Sequence, residues 1–81
     1  MANAQIRRRY SEESLRSARH AIPTVRLAER QEQGGNLREA AVSWRDAATL
    51  ASMHGATHLA ESFRMQKNRV LRELTRGARR D

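Results

Sequence analysis

The stretch Gly34-Gly35-Asn36-Leu37-Arg38-Glu39-Ala40-Ala41-Val42-Ser43-Trp44-Arg45-Asp46-Ala47-Ala48-Thr49-Leu50-Ala51 decides the fold. Two glycines open it, and a helix-period pattern follows. Leu37, Ala40, Ala41, Trp44, Ala47, Ala48 and Ala51 recur at three- and four-residue steps, which puts them on one face of an α-helix. Because this stripe is nearly all alanine, a neighbouring helix can come close. Trp44 is then its one large anchor, and its indole N–H needs an acceptor if buried. Asn36 stands where an N-cap belongs, with Glu39 three residues on in the position of a capping-box acid.

Working outward, the glycine pair closes a preceding helix, since glycine takes the left-handed cap conformation without strain. Upstream, Ser11 can cap a helix whose first turn holds Glu12 and Glu13, with Leu15, Ala18, Ile22 and Val25 on one face. Pro23 interrupts this face, and the chain either kinks there or breaks and restarts with proline in the first turn. The β-branched Ile22 before proline favours the break. Downstream, Gly55 is the expected stop, and a last helix runs from about Thr57 to about Thr75. Its apolar face is Ala56, Leu59, Ala60, Phe63, Val70, Leu71 and Leu74. Lys67 lies near the centre of that stripe, so it must either extend its charge outward or sit at the open end of the core. β-branched and aromatic residues are scarce and no alternating run occurs, so a sheet is not expected.

These elements give an all-α fold, a small bundle of three to four helices built on an antiparallel hairpin about Gly34-Gly35. Residues 1–10 read as a basic, flexible arm, 11–75 as one helical domain, and 76–81 as a basic, frayed tail. The expected core is Leu37, Ala40, Trp44, Ala47, Leu59, Phe63 and Val70. With 81 residues the chain supports one small core of modest stability.

Composition narrows the function. There is no cysteine, which removes disulfides, thiolate metal sites and cysteine nucleophiles. No apolar run reaches bilayer length, and the N-terminal arginines are not followed by a signal-like apolar stretch. The expectation is a soluble, cytoplasmic protein of bacterial type. The net charge is +7, carried almost wholly by arginine and concentrated at both ends. Such ends suit an acidic partner, either nucleic acid or an acidic protein face, although arginine also serves as a solubilising helix former.

The segment from Leu27 to Ala51 is locally similar to a tetratricopeptide hairpin through Leu27, Ala28, Gly35, Leu37, Ala40, Trp44 and Ala47. We read that likeness as shared helix-hairpin packing. A wider resemblance is to the ANR family, small bacterial regulators that act negatively on AraC-type activators. It rests on Ala28, Glu29, Glu32, Gly35, Ala40, Ala41, Trp44, Ala47, Ala48 and Ala51, followed by the arginine-bearing segment from Ala56 to Val70. The resemblance implies an all-helical protein that modulates transcription by binding a protein partner, an AraC-type activator or a nucleoid-structuring protein. It does not imply an enzyme.

Chemistry-bearing residues are few. His54, His58 and Glu61 have helical spacing suited to metal ligands, but Gly55 falls between them at a helix boundary and no second pair exists. A solvated linker is the better reading, and no metal or cofactor is expected. No nucleophile elbow or phosphate loop is present. Arg69, Arg72, Arg76 and Arg79 form a basic stripe on the last helix, able to track phosphates or an acidic protein surface, with Arg7, Arg8 and Arg9 adding to either. Val42, Leu50 and Met53 lie on the side of their helix away from the Trp44 stripe, flanked by Asp46 and Glu39. Either this second apolar face meets a partner or a second copy in a homodimer, or the first helix covers it. The readings carried forward are a protein-binding transcription regulator, a direct DNA-binding protein, a phage-type inhibitor or adaptor of a host nucleic-acid machine, and a structural helical module in a larger assembly.

Overall fold

The structure, a computed structural model, describes residues 19–79, with only the backbone of Ala78 and Arg79. Among the described residues the chain forms α1 (Ile22–Gln33), α2 (Leu37–Met53) and α3 (Thr57–Arg79). The helices pack α1 on α2 and α2 on α3 as antiparallel hairpins, so α2 is the central element. The expected all-α fold and its hairpin about Gly34-Gly35 are observed.

The break at Pro23 is also observed. The chain turns through residues 19–21, and α1 starts at Ile22 with proline in its first turn. There the missing N–H costs nothing, because first-turn donors have no intrahelical acceptor. The helix expected from Ser11, with Leu15 and Ala18, lies outside the described residues, as does the arm at Arg7, Arg8 and Arg9.

Both interhelical turns have the same geometry. At the first, Gly35 has φ +80°, its N–H donates to Glu32 O at 3.0 Å, and the Asn36 N–H donates to Gln31 O at 2.8 Å. At the second, Gly55 has φ +79°, its N–H donates to Ser52 O at 3.1 Å, and the Ala56 N–H donates to Ala51 O at 2.8 Å. These are Schellman closures, in which a left-handed residue folds the chain back onto the last helical carbonyls. Each next helix begins at once, through Ala40 N–H to Asn36 O and Ala60 N–H to Ala56 O. The chain therefore reverses twice without a long loop.

Three local expectations are corrected. Asn36 is the N-cap of α2, but its side chain makes no capping hydrogen bond. The Asn36 N–H that Glu39 would have received is already bonded to Gln31 O, so the capping box has no donor to close on. The last helix continues to Arg79, beyond the expected end at Thr75. Leu71, which helical spacing puts on the apolar face of that helix, is exposed. Val70 is fully buried, and one residue further the helix has turned 100°, which carries Leu71 off the packed face.

The core is one cluster. Ala21, Val25 and Ala28 come from the α1 side, the Ala40–Ala51 stripe with Trp44 from α2, and Ala56, Leu59, Ala60, Phe63 and Val70 from the α3 side. Leu37, Ile22 and Leu50 pack against its edge. Trp44 is completely buried, with its ring centroid 5.9 Å from that of Phe63 and the planes tilted by 36°. Each expected core residue is found in or against this cluster.

Candidate functional site

Glu32 stands in the last turn of α1, where the negative end of the helix dipole disfavours a carboxylate. Two donors from the other helices compensate. Trp44 Nε1 on α2 donates to Glu32 Oε2 at 2.6 Å, and Arg69 Nη2 on α3 donates to Glu32 Oε1 at 2.6 Å. Both carboxylate oxygens are thus engaged, and a single side chain bridges all three helices. Beside it, Ser43 Oγ donates to Gln31 Oε1 at 2.6 Å, so consecutive residues of α1 grip α2 and α3.

The guanidinium of Arg69 is held further by Gln66, whose Oε1 accepts from Nε at 2.9 Å, and by Glu73, 3.7 Å from Nη1. Arg69 therefore faces two carboxylates of its own chain. In the sequence it belongs to the basic stripe with Arg72 and Arg76. The geometry separates it from them, since Arg72 and Arg76 point to solvent and enter no ion pair among the described residues. The side chain of Arg79 lies outside the described residues. Arg64 was not singled out in the sequence, yet it is exposed on the outer side of the same helix. Its four-residue spacing to Asn68 and eight-residue spacing to Arg72 was the available signal.

On the hairpin of α1 and α2, the expected second apolar face divides. Leu50 packs against the core and is half-buried, whereas Val42 and Met53 are exposed, Met53 at 73%. Leu27, matched in the sequence to a packed hairpin position, is exposed instead. It lines a shallow depression with Thr24, Ser43, Asp46, Thr49 and Leu50. A second depression runs past Gln31, Arg38, Glu39, Val42 and Ser43. The first helix thus covers Leu50 in part and leaves Val42 and Met53 open. Asp46 lies exposed, 3.5 Å from Arg45 Nη2.

His54 closes α2, and its ring stacks on that of His20 at a centroid distance of 4.0 Å and an interplanar angle of 19°. His58 lies beyond the left-handed Gly55, in α3. Among the described residues no group of three or more His, Cys, Asp or Glu side chains is placed to hold a metal ion. No described helix is long and apolar enough to cross a membrane. No family model, curated protein or solved structure matches the chain.

Proposed function

We propose that this chain is a small protein-binding regulator of transcription, and that the outer face of the α1–α2 hairpin is where its partner docks. The observation that carries this reading is the exposure of Val42 and Met53 on the side of α2 opposite the core, with Leu27 at the adjoining edge. Large apolar side chains grouped on one face lose water-exposed surface when a partner covers them. Glu39 and Asp46 border the group and supply polar contacts at its rim. The transcriptional role rests on the ANR-type pattern of Ala28, Glu29, Glu32, Gly35, Trp44 and the alanine stripe, and the partner it names first is an AraC-type activator. In this reading the protein acts by occlusion and catalyses nothing.

The experiment is a bacterial reporter whose promoter depends on an AraC-type activator, read with and without this protein. Co-expression is expected to lower reporter output, and Val42→Asp combined with Met53→Asp is expected to restore it. Both positions are exposed, so circular dichroism should find the variant as helical as the parent. Unchanged output with the parent protein would refute the transcriptional role. Repression that survives the double substitution would refute the docking face.

A further inference from the structure

We propose that the outer face of α3 binds the phosphate backbone of nucleic acid through Arg64, Asn68, Arg72 and Arg76. These residues follow one another at four-residue steps and all are exposed. On an α-helix each step advances about 6 Å and rotates about 40°, so the side chains form a slowly winding row. The row lies opposite Leu59, Phe63 and Val70, which are buried. Asn68, Arg72 and Arg76, with Leu71 and Thr75, line a shallow depression on this face.

Three features select the ligand. First, no described acid neutralises the row. Ion pairs form at Arg45–Asp46, Arg69–Glu32 and Arg69–Glu73, and none of these includes Arg64, Arg72 or Arg76. Glu73 faces Arg69 at the flank, and Glu61 stands before the row begins. Second, like charges repeated along one helix repel one another. A duplex carrying a negative charge about every 1.7 Å of its axis satisfies them together. Third, the Asn68 amide between the arginines is an uncharged donor of the kind that also contacts phosphate. Met65 and Leu71 border the row without interrupting it. Among the described residues no Phe, Tyr or Trp ring stands on this face, so binding should follow the backbone with no base readout. The engagement of Arg69 by Glu32 removes it from this surface, and Arg64 takes its place.

The test is fluorescence anisotropy of a labelled 20-base-pair duplex of arbitrary sequence, titrated with the full chain from 50 to 200 mM salt. The parent should bind at 50 mM with a steep salt dependence. Replacing Arg64, Arg72 and Arg76 together by Ala should reduce the log–log salt slope by about 2.7, so that the loss of affinity over that salt range is about 40-fold smaller than in the parent. The matching triple Lys variant should keep the slope, because it keeps the charges. Should the triple Ala variant lose helicity, Arg72→Ala alone should lower the slope by about 1. No binding by the parent at 50 mM, or an Ala variant that folds and keeps the parent slope, overturns the proposal. So does displacement of the duplex by polyglutamate at equal charge concentration, which would assign the face to acidic protein. The reporter assay concerns a different face, so either idea can fail without the other.

Discussion

Arg69 on α3 and Glu32 on α1 meet at 2.6 Å across 37 positions of sequence, and the same carboxylate accepts from the buried indole of Trp44. The pair connects the first and last described helices around a residue of the middle one. Replacing Glu32 with Ala leaves the indole N–H without its acceptor, a penalty of about 1–3 kcal/mol. The guanidinium, whose side chain is 36% exposed, can turn to water and adds less. The expected total is about 2–3 kcal/mol, seen as a lower urea midpoint at unchanged slope. Arg69→Met should cost about 1 kcal/mol less in the Glu32→Ala background than in the parent. Strict additivity of the two substitutions would mean that the contact carries no coupling energy.

Trp44 reports on the same junction. It is the chain's single tryptophan and is fully buried. Its emission should lie to the blue of the urea-unfolded chain and resist acrylamide quenching. Trp44→Phe removes a hydrogen bond to a charged acceptor and leaves space beside Phe63. The expected loss is about 2–4 kcal/mol, measured by urea unfolding followed by circular dichroism. Free access of acrylamide to the parent indole would contradict its burial.

The glycines should separate by backbone geometry. At Gly35 and Gly55 an added Cβ would touch nothing within 4 Å, so any cost of Ala there comes from the left-handed φ alone. Each Ala substitution should destabilise by about 1–2 kcal/mol, and Asn, which tolerates this conformation better, by less. Gly77 lies inside α3 with open space around it. Gly77→Ala should therefore stabilise by up to about 1 kcal/mol. Thermal melts of the three variants check the pattern, and equal shifts for all would show that φ does not govern it.

The helices and their order were legible because each signal is local. Alanine periodicity marks α2, proline marks the start of α1, and glycine marks each turn. The core followed, since residues on one face of a helix share burial. The Glu32 bridge was not legible, because Trp44 and Arg69 are respectively 12 and 37 positions away and meet only once the helices pack. For the same reason Arg69 looks equivalent to Arg72 and Arg76, which lie within about 60° of it around the helix axis. The exposure of Leu27 was not legible, and neither was which of the two open readings would hold for Leu50. Their burial depends on the angle at which α1 crosses α2, and helical period does not encode that angle.

The alanine stripe of α2 sets how closely its neighbours approach. Ala40, Ala47 and Ala51 have no exposed surface, and Ala28 of α1 has none either. Helix axes commonly lie about 8–10 Å apart, with the lower end of that range open to small residues at the contact. Ala47→Leu adds three carbons at a position with no exposed surface, so helices are expected to separate or side chains to leave their rotamers, at a cost of about 1–3 kcal/mol. For a domain of this size each kcal/mol lowers Tm by about 4–8 °C. The expected drop is therefore about 5–20 °C, against a change of a degree or two for Arg45→Leu on the exposed side of the same helix. A scanning melt of the two variants makes the comparison. If Ala47→Leu instead raises Tm, the seam holds unfilled volume and close approach along the alanines is not what positions Glu32 against Trp44 and Arg69.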